Sequence, residues 1–208
     1  MFHPTRSLPL SIVLPLLLVS TAHAQTTAGP HVEVLAGLNH ESRNDLDRGL
    51  KDDSLVYGAG AGYDLRAGNV VFGGLGEVSG TTNRNCGTYD IKATPTTPGL
   101  AGRVCSRGQR SLFAGARLGY AMGEHTLGYV LGGYENIRSK TSFDGTSNGI
   151  DATARGHRSE DGFRLGAGLE QAVSANAFVK AEYRYSRTGP QNPTSARHQF
   201  VTGIGYRF

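Results

Sequence analysis

Apolar and polar residues alternate along most of this chain, and the alternation breaks at intervals. In "HVEVLAGLNH" (31–40), Val32, Val34, Ala36 and Leu38 share one side and Glu33 lies on the other. In "SLVYGAGAGYDLR" (54–66), Leu55, Tyr57, Ala59, Ala61, Tyr63 and Leu65 oppose Val56, Gly58, Gly60, Gly62, Asp64 and Arg66. "NVVFGGLGEVSG" (69–80) is less regular and carries Glu77. "RSLFAGARLGYAM" (110–122) sets Leu112, Ala114, Ala116, Leu118 and Tyr120 against Ser111, Gly115, Arg117 and Gly119. "HTLGYVLGGYEN" (125–136) sets Leu127, Tyr129 and Leu131 against Gly128, Val130, Gly132 and Tyr134. "DGFRLGAGLEQAV" (161–173) sets Phe163, Leu165, Ala167 and Leu169 against Arg164, Gly166, Gly168 and Glu170. "AFVKAEYRYSR" (177–187) sets Val179, Ala181, Tyr183 and Tyr185 against Lys180, Glu182, Arg184 and Ser186. "QFVTGIGYRF" (199–208) sets Phe200, Thr202, Ile204, Tyr206 and Phe208 against Gln199, Val201, Gly203, Gly205 and Arg207. Period-two patterns of this length predict eight β-strands, and no stretch after Gln25 has a helical period.

The connections alternate in length. "RAGN" (66–69), "GEH" (123–125) and "SANA" (174–177) read as tight turns. Residues 41–53, 81–109, 138–160 and 188–196 are rich in Gly, Ser, Thr, Asn, Asp and Pro and read as long loops. Short turns at one end and long loops at the other, with an even number of strands, predict an all-β, antiparallel up-and-down barrel of the transmembrane type.

One face of these strands is aliphatic or aromatic, and the other is glycine plus charge. A soluble barrel would bury the apolar face. Here the glycines share the charged face, where they make room for long side chains, so the apolar face is expected to meet lipid. The expected lumen charges are Glu33, Asp64, Arg66, Glu77, Arg117, Arg164, Glu170, Lys180, Glu182, Arg184 and Arg207. Such charges have to be paired, because burying one alone costs several kcal/mol. An eight-stranded interior is just wide enough to be filled by side chains, which predicts a plugged lumen. Tyr57, Tyr63, Phe72, Tyr120, Tyr129, Phe163, Tyr183, Tyr185, Phe200, Tyr206 and Phe208 fit aromatic girdles at the two interfaces.

Composition adjusts this picture at three points. Residues 1–24 hold Arg6, an apolar run "LPLSIVLPLLLV" and the small-x-small triplet Ala22-His23-Ala24, which predicts a signal peptide ahead of a barrel domain at 25–208. From Gln25 onward 20 basic residues face 17 acidic ones, a mild excess that suggests no nucleic-acid partner. Cys86 and Cys105 are the two cysteines, and in an exported chain they predict a disulfide, worth about 3 kcal/mol on a loop-entropy argument.

Three stretches carry a resemblance: "GARLGYAMGEHTLGYVLGGY" (115–134), "GFRLGAGLEQAVSANAFVKAEYRYSRTG" (162–189) and "HQFVTGIGYRF" (198–208). The chain resembles the small eight-stranded outer-membrane β-barrels of Gram-negative bacteria, the OmpA-like and opacity-type proteins of the porin family, over residues 29 to 208. The first strand and the cysteine segment match least. The resemblance implies outer-membrane lipid and lipopolysaccharide as surroundings. It also implies insertion by the barrel assembly machinery, with Ile204, Tyr206 and Phe208 as the recognition signal. Unlike the longer family members, this chain is expected to carry no peptidoglycan-binding domain after the barrel, and so no tethering function.

Candidate chemistry is sparse. "HRSED" places His157 and Ser159 on one outward face, as a lipid A hydrolase on a barrel wall would need, but Glu170 has lumen parity and Glu160 faces away, so the triad lacks its acid. His40, His125 and His198 fall on different strands and show no metal-ligand spacing. "GAGAG" (58–62) has no following helix and no Lys-Ser/Thr, so it lines a lumen and does not cradle phosphate. Arg84, Lys92, Arg103, Arg107, Arg138, Lys140, Arg155, Arg158, Arg187 and Arg197 lie in or near the long connections, where lipopolysaccharide phosphates would be met. The expected function is a monomeric, non-enzymatic barrel without cofactor, serving envelope integrity or surface adhesion. The alternatives are a narrow porin-like channel and a lipid A-modifying enzyme.

Overall fold

The computed structural model describes residues 27–42, 51–92, 94, 99–148, 150–188 and 195–208. The expected signal peptide at 1–24 lies outside the described residues. Nine strands follow in order: β1 (Gly29–Ser42), β2 (Lys51–Ala67), β3 (Val70–Thr81), β4 (Arg84–Ile91), β5 (Leu100–Ala121), β6 (Thr126–Ser147), β7 (Ile150–Ala172), β8 (Ala177–Thr188) and β9 (Ser195–Arg207). Eight of them form a closed antiparallel ring, in which β1 meets β9 at the seam and β3 meets β5 directly. β4 stands outside the ring and, among the described residues, pairs with the far end of β5.

The three tight turns fall where the sequence puts them. Gly68 (φ 62°) and Gly123 (φ 91°) sit in the left-handed region that a two- or three-residue reversal requires and that side chains other than glycine resist. The described ends of β1 and β9 lie at this same end, where the Phe208 N–H donates to the Pro30 carbonyl at 3.0 Å.

Side chains alternate as a sheet with one wet and one apolar face must. Val34, Leu38, Phe200 and Ile204 are more than half exposed on the outer wall. Their neighbours Glu33, Leu35, Val201 and Arg207 are buried inside. Exposed aromatics gather in two belts. Tyr63, Phe72, Tyr120, Tyr206 and Phe208 lie near the turn end, and Tyr57, Tyr134, Phe163, Tyr183 and Phe200 lie toward the other.

Two expectations are corrected. Residues 81–109 and 138–160 are largely strand, not loop. β6 and β7 run on as a ladder to the Ser147–Ile150 pair, β5 pairs with β6 as far as Leu100–Ser147, and β4 is added at the edge of β5. The result is a four-stranded sheet projecting beyond the barrel wall. Polar residues sit on both of its faces, so no apolar period marks it. Second, β6 is inverted relative to its expected facing. Leu127, Tyr129 and Leu131 point inward and are almost fully buried, while Val130 and Tyr134 face out. Glu135 shares their parity, and lipid would not accept it. The inward bulk fits because the flanking strands are glycine there. A Cβ on Gly119 would meet Leu127 and Tyr129, one on Gly166 would meet Leu131, and one on Gly168 would lie 2.7 Å from the Tyr129 hydroxyl.

Candidate functional site

The lumen gathers the buried charges of the described residues. Strand parity alone brings its charges together. Among the described residues the buried carboxylates are Glu33, Asp64, Glu77, Glu135, Glu170 and Glu182, and the buried lysine and arginines are Arg117, Arg164, Lys180, Arg184, Arg197 and Arg207.

Near the turn end, Asp64 takes both Nε and a terminal nitrogen of Arg117 and lies 3.2 Å from Arg207. Glu170 lies 3.2 Å from Arg117 and 2.9 Å from Arg207. His31 Nδ1 is 3.3 Å from Asp64. The Arg207 guanidinium also lies 4.9 Å over the Phe178 ring, a cation–π contact.

Farther along, Lys180 Nζ is 2.6 Å from Glu33 and 3.4 Å from Glu182. Arg184 pairs with Glu182 and forks onto Glu77 at 2.9 and 2.7 Å. Arg164 donates to Glu77 at 2.9 Å and to Glu135 and Ser111, with its guanidinium 4.6 Å over Phe113. Arg197 lies 3.7 Å from Glu135. At the outer end Gln199 donates to Asn39 at 3.0 Å, and Asn39 donates to Ser54 at 3.2 Å. Every buried carboxylate thus touches at least one cation, which buried charge requires.

Tyr129 joins the two halves of this ladder. Its hydroxyl donates to Glu182 at 2.6 Å, and Arg117 lies 5.3 Å over its ring. The sequence places Tyr129 in a girdle, and the inverted strand is the reason it is not there. Glu135 and Arg197 are lumen members that sequence reasoning passed over, Arg197 having been assigned to a loop. Glu135 was legible, since it stands in phase with Leu127, Tyr129 and Leu131. Arg66 departs the other way. It is exposed and donates to the Gly68 carbonyl at 2.7 Å and to Thr27 at 3.1 Å. Gly58, Gly60 and Gly62 of "GAGAG" face inward, where a Cβ on Gly60 or Gly62 would press on Glu33 or His31.

Outside the ring, Cys86 and Cys105 are opposed on β4 and β5 and form a disulfide. Register also sorts the basic residues of the projecting sheet. Arg110 opposes Arg138, and Lys140 opposes His157, all on the outward face above Leu112, Tyr134 and Phe163. The hydrolase candidate does not assemble. Ser159 exchanges hydrogen bonds with Asn136, Glu160 pairs with Arg158 at 2.7 Å, and Glu170 is inside the lumen. His40 and His198, expected to lie apart, are directly opposed across the β1–β9 seam. They are brought together only by ring closure.

A ring of eight antiparallel strands with an apolar outer wall, two aromatic belts and a charged, filled interior defines a transmembrane outer-membrane barrel. Residues 11–208 match the outer membrane protein beta-barrel domain family, and the chain belongs to it. It is similar to the 31 kDa outer-membrane immunogenic protein of Brucella melitensis, with 29% identity over 184 residues, 82% of this chain and 72% of that protein. The 25 kDa outer-membrane immunogenic protein of the same organism is 24% identical over 200 residues, covering 91% of this chain and 83% of its own length. Among solved structures the fold resembles Ail, the attachment invasion locus protein of Yersinia pestis, with TM-score 0.55, 18% identity, and 87% and 99% of the two chains covered. It also resembles Neisserial surface protein A, with TM-score 0.54, 18% identity, and 87% and 98% covered. The chain is therefore a bacterial outer-membrane protein.

Proposed function

We propose that this barrel is a closed, monomeric membrane anchor that displays a surface-interaction sheet, rather than a channel or an enzyme. The observation that carries this reading is a lumen in which each described buried carboxylate meets a cation, combined with the projecting β4–β7 sheet, which carries polar side chains and a disulfide-pinned edge beyond the barrel wall. The relatives are named for immunogenicity and the structural neighbour Ail for attachment and invasion, which is in keeping with surface display. The outward row of Arg84, Arg110, Arg138, Lys140 and Arg155 stands above the lipid-facing wall. Like charges opposed across strands repel, so lipopolysaccharide phosphates suit this row as partners. Insertion by the barrel assembly machinery, with Ile204, Tyr206 and Phe208 read from the outer face of β9, completes the proposal.

Planar-bilayer recording tests the closed lumen. Purified protein is expected to give no steady unitary openings, and reproducible openings would favour the narrow porin reading. Expression on a non-adherent bacterium tests display. Increased attachment to host cells or matrix is expected, and a variant lacking residues 84–105 should lose it while still reaching the membrane.

A further inference from the structure

The projecting sheet has a second edge, on β7. β6 accompanies β7 to the Ser147–Ile150 pair, whereas β8 accompanies it only to Gly162–Thr188. Among the described residues no strand lies on the other side of residues 150–161. Residues 189–194 leave and return at the opposed pair Thr188–Ser195, so they climb by about three residues at most, roughly 10 Å, and stop short of residues 151–157.

The backbone phase of this edge follows from two hydrogen bonds at the turn end. The Ala172 N–H donates to the His125 carbonyl on the β6 side, and the Val173 N–H donates to the Ala177 carbonyl on the β8 side. The β6–β7 register is unbroken from Thr126–Gln171 to Ser147–Ile150. Bonding direction alternates along an antiparallel strand, so even-numbered residues of β7 bond to β6 and odd-numbered ones turn N–H and C=O away from it. Asp151, Thr153, Arg155 and His157 therefore present their backbone groups at the open edge. Sheet edges are normally blunted by proline, lysine or a bulge, and residues 150–161 contain none of the three.

The two faces of the edge differ. Thr153, Arg155 and His157 stand on the outer one, with Lys140 opposite His157. Ile150, Ala152 and Ala154 stand on the inner one, with Phe143 opposite Ala154. Ile150 is 73% exposed, more than any other large apolar side chain among the described residues, although it lies beyond the lipid-facing wall.

We propose that the 151–157 edge of β7 captures an extended segment of an extracellular protein in which apolar residues alternate with acidic ones. Such a segment adds a strand to the sheet. Its backbone bonds to the odd-numbered residues, its apolar side chains settle beside Ile150, Ala152 and Ala154, and its carboxylates lie beside Arg155 and His157. A second copy of this chain suits the edge less well. Two barrels in one membrane run β7 in the same direction, and an in-register parallel pair sets Arg155 against Arg155. The inference deepens the surface-display reading and rests on it.

The probe is a short labelled peptide alternating valine and glutamate, titrated against the full barrel in detergent micelles and followed by fluorescence anisotropy. Saturable binding is expected, with a valine–lysine alternation at least about tenfold weaker. Thr153→Pro removes an edge donor without touching the β6 ladder and should weaken binding about tenfold. Arg155→Glu should weaken it about fivefold. Amide exchange at Thr153 and Arg155 should slow when peptide is bound, while Ala152 and Ala154, already bonded to β6, should not change. Heat-modifiable gel migration establishes that each variant is folded. The proposal is overturned if the folded wild type binds no peptide, if the valine–lysine peptide binds equally well, if folded Thr153→Pro binds as the wild type does, or if cross-linking finds barrels paired through β7. Cell attachment reads display separately. Attachment without peptide binding overturns the edge proposal and leaves display standing, and peptide binding without attachment does the reverse.

Discussion

Tyr129 shows how much one side chain can hold in a lumen of this width. Its hydroxyl is one of the groups that satisfy Glu182, and its ring carries Arg117. Tyr129→Phe keeps the ring and removes a hydrogen bond to a buried charge. A loss of about 2 kcal/mol is expected, read from urea unfolding out of lipid vesicles. Glu77→Ala should cost more, about 3–5 kcal/mol, because it takes one carboxylate from each of two buried arginines, leaving Arg164 to Glu135 and Arg184 to Glu182. Gly168→Val should also destabilise, since a Cβ there already meets the Tyr129 ring and the Ala181 carbonyl at less than 3 Å. The charges of this ladder were legible at the residue scale. A slip of one position would put Glu33, Asp64 or Arg184 in lipid, so parity assigns them without any structure. Tyr129 is legible by this rule only through Glu135, which stands in phase with it; taken alone a tyrosine suits either face, and glycines on the flanking strands make its room inside.

Among the elements, β4 and the outer halves of β5, β6 and β7 separate what periodicity reveals from what it hides. Within the membrane, each strand has one lipid face, and alternation follows. Beyond it both faces meet water, so "TSFDGTSNGIDATARGHRSE" reads as loop although almost all of it is strand. The Cys86–Cys105 link crosses neighbouring strands here, far from the ring. The double variant Cys86→Ser/Cys105→Ser should therefore leave barrel melting nearly unchanged while exposing residues 84–105 to protease, as limited proteolysis on intact cells would show. The seam was hidden for a different reason. His40 and His198 are 158 residues apart in sequence, and their opposition depends on closure, which no local pattern encodes.

The whole molecule is an outer-membrane barrel whose last strand must seal against its first. Phe208→Ala removes an exposed ring packed 5.1 Å from Tyr206, yet touches no lumen charge. If Ile204, Tyr206 and Phe208 form the assembly signal, this variant should accumulate outside the outer membrane in cells and still refold in vitro, a split that fractionation and refolding yields would measure. The interior has one further consequence. Among the described residues its six buried carboxylates are matched by six buried lysine and arginine cations. An electric field across the membrane does work in proportion to the net charge it can move, about 2.3 kcal/mol per elementary charge per 100 mV. With its charges cancelled in place, the plug offers the field almost nothing to pull on. Stepping the voltage across a bilayer holding this barrel should neither open it nor distort it.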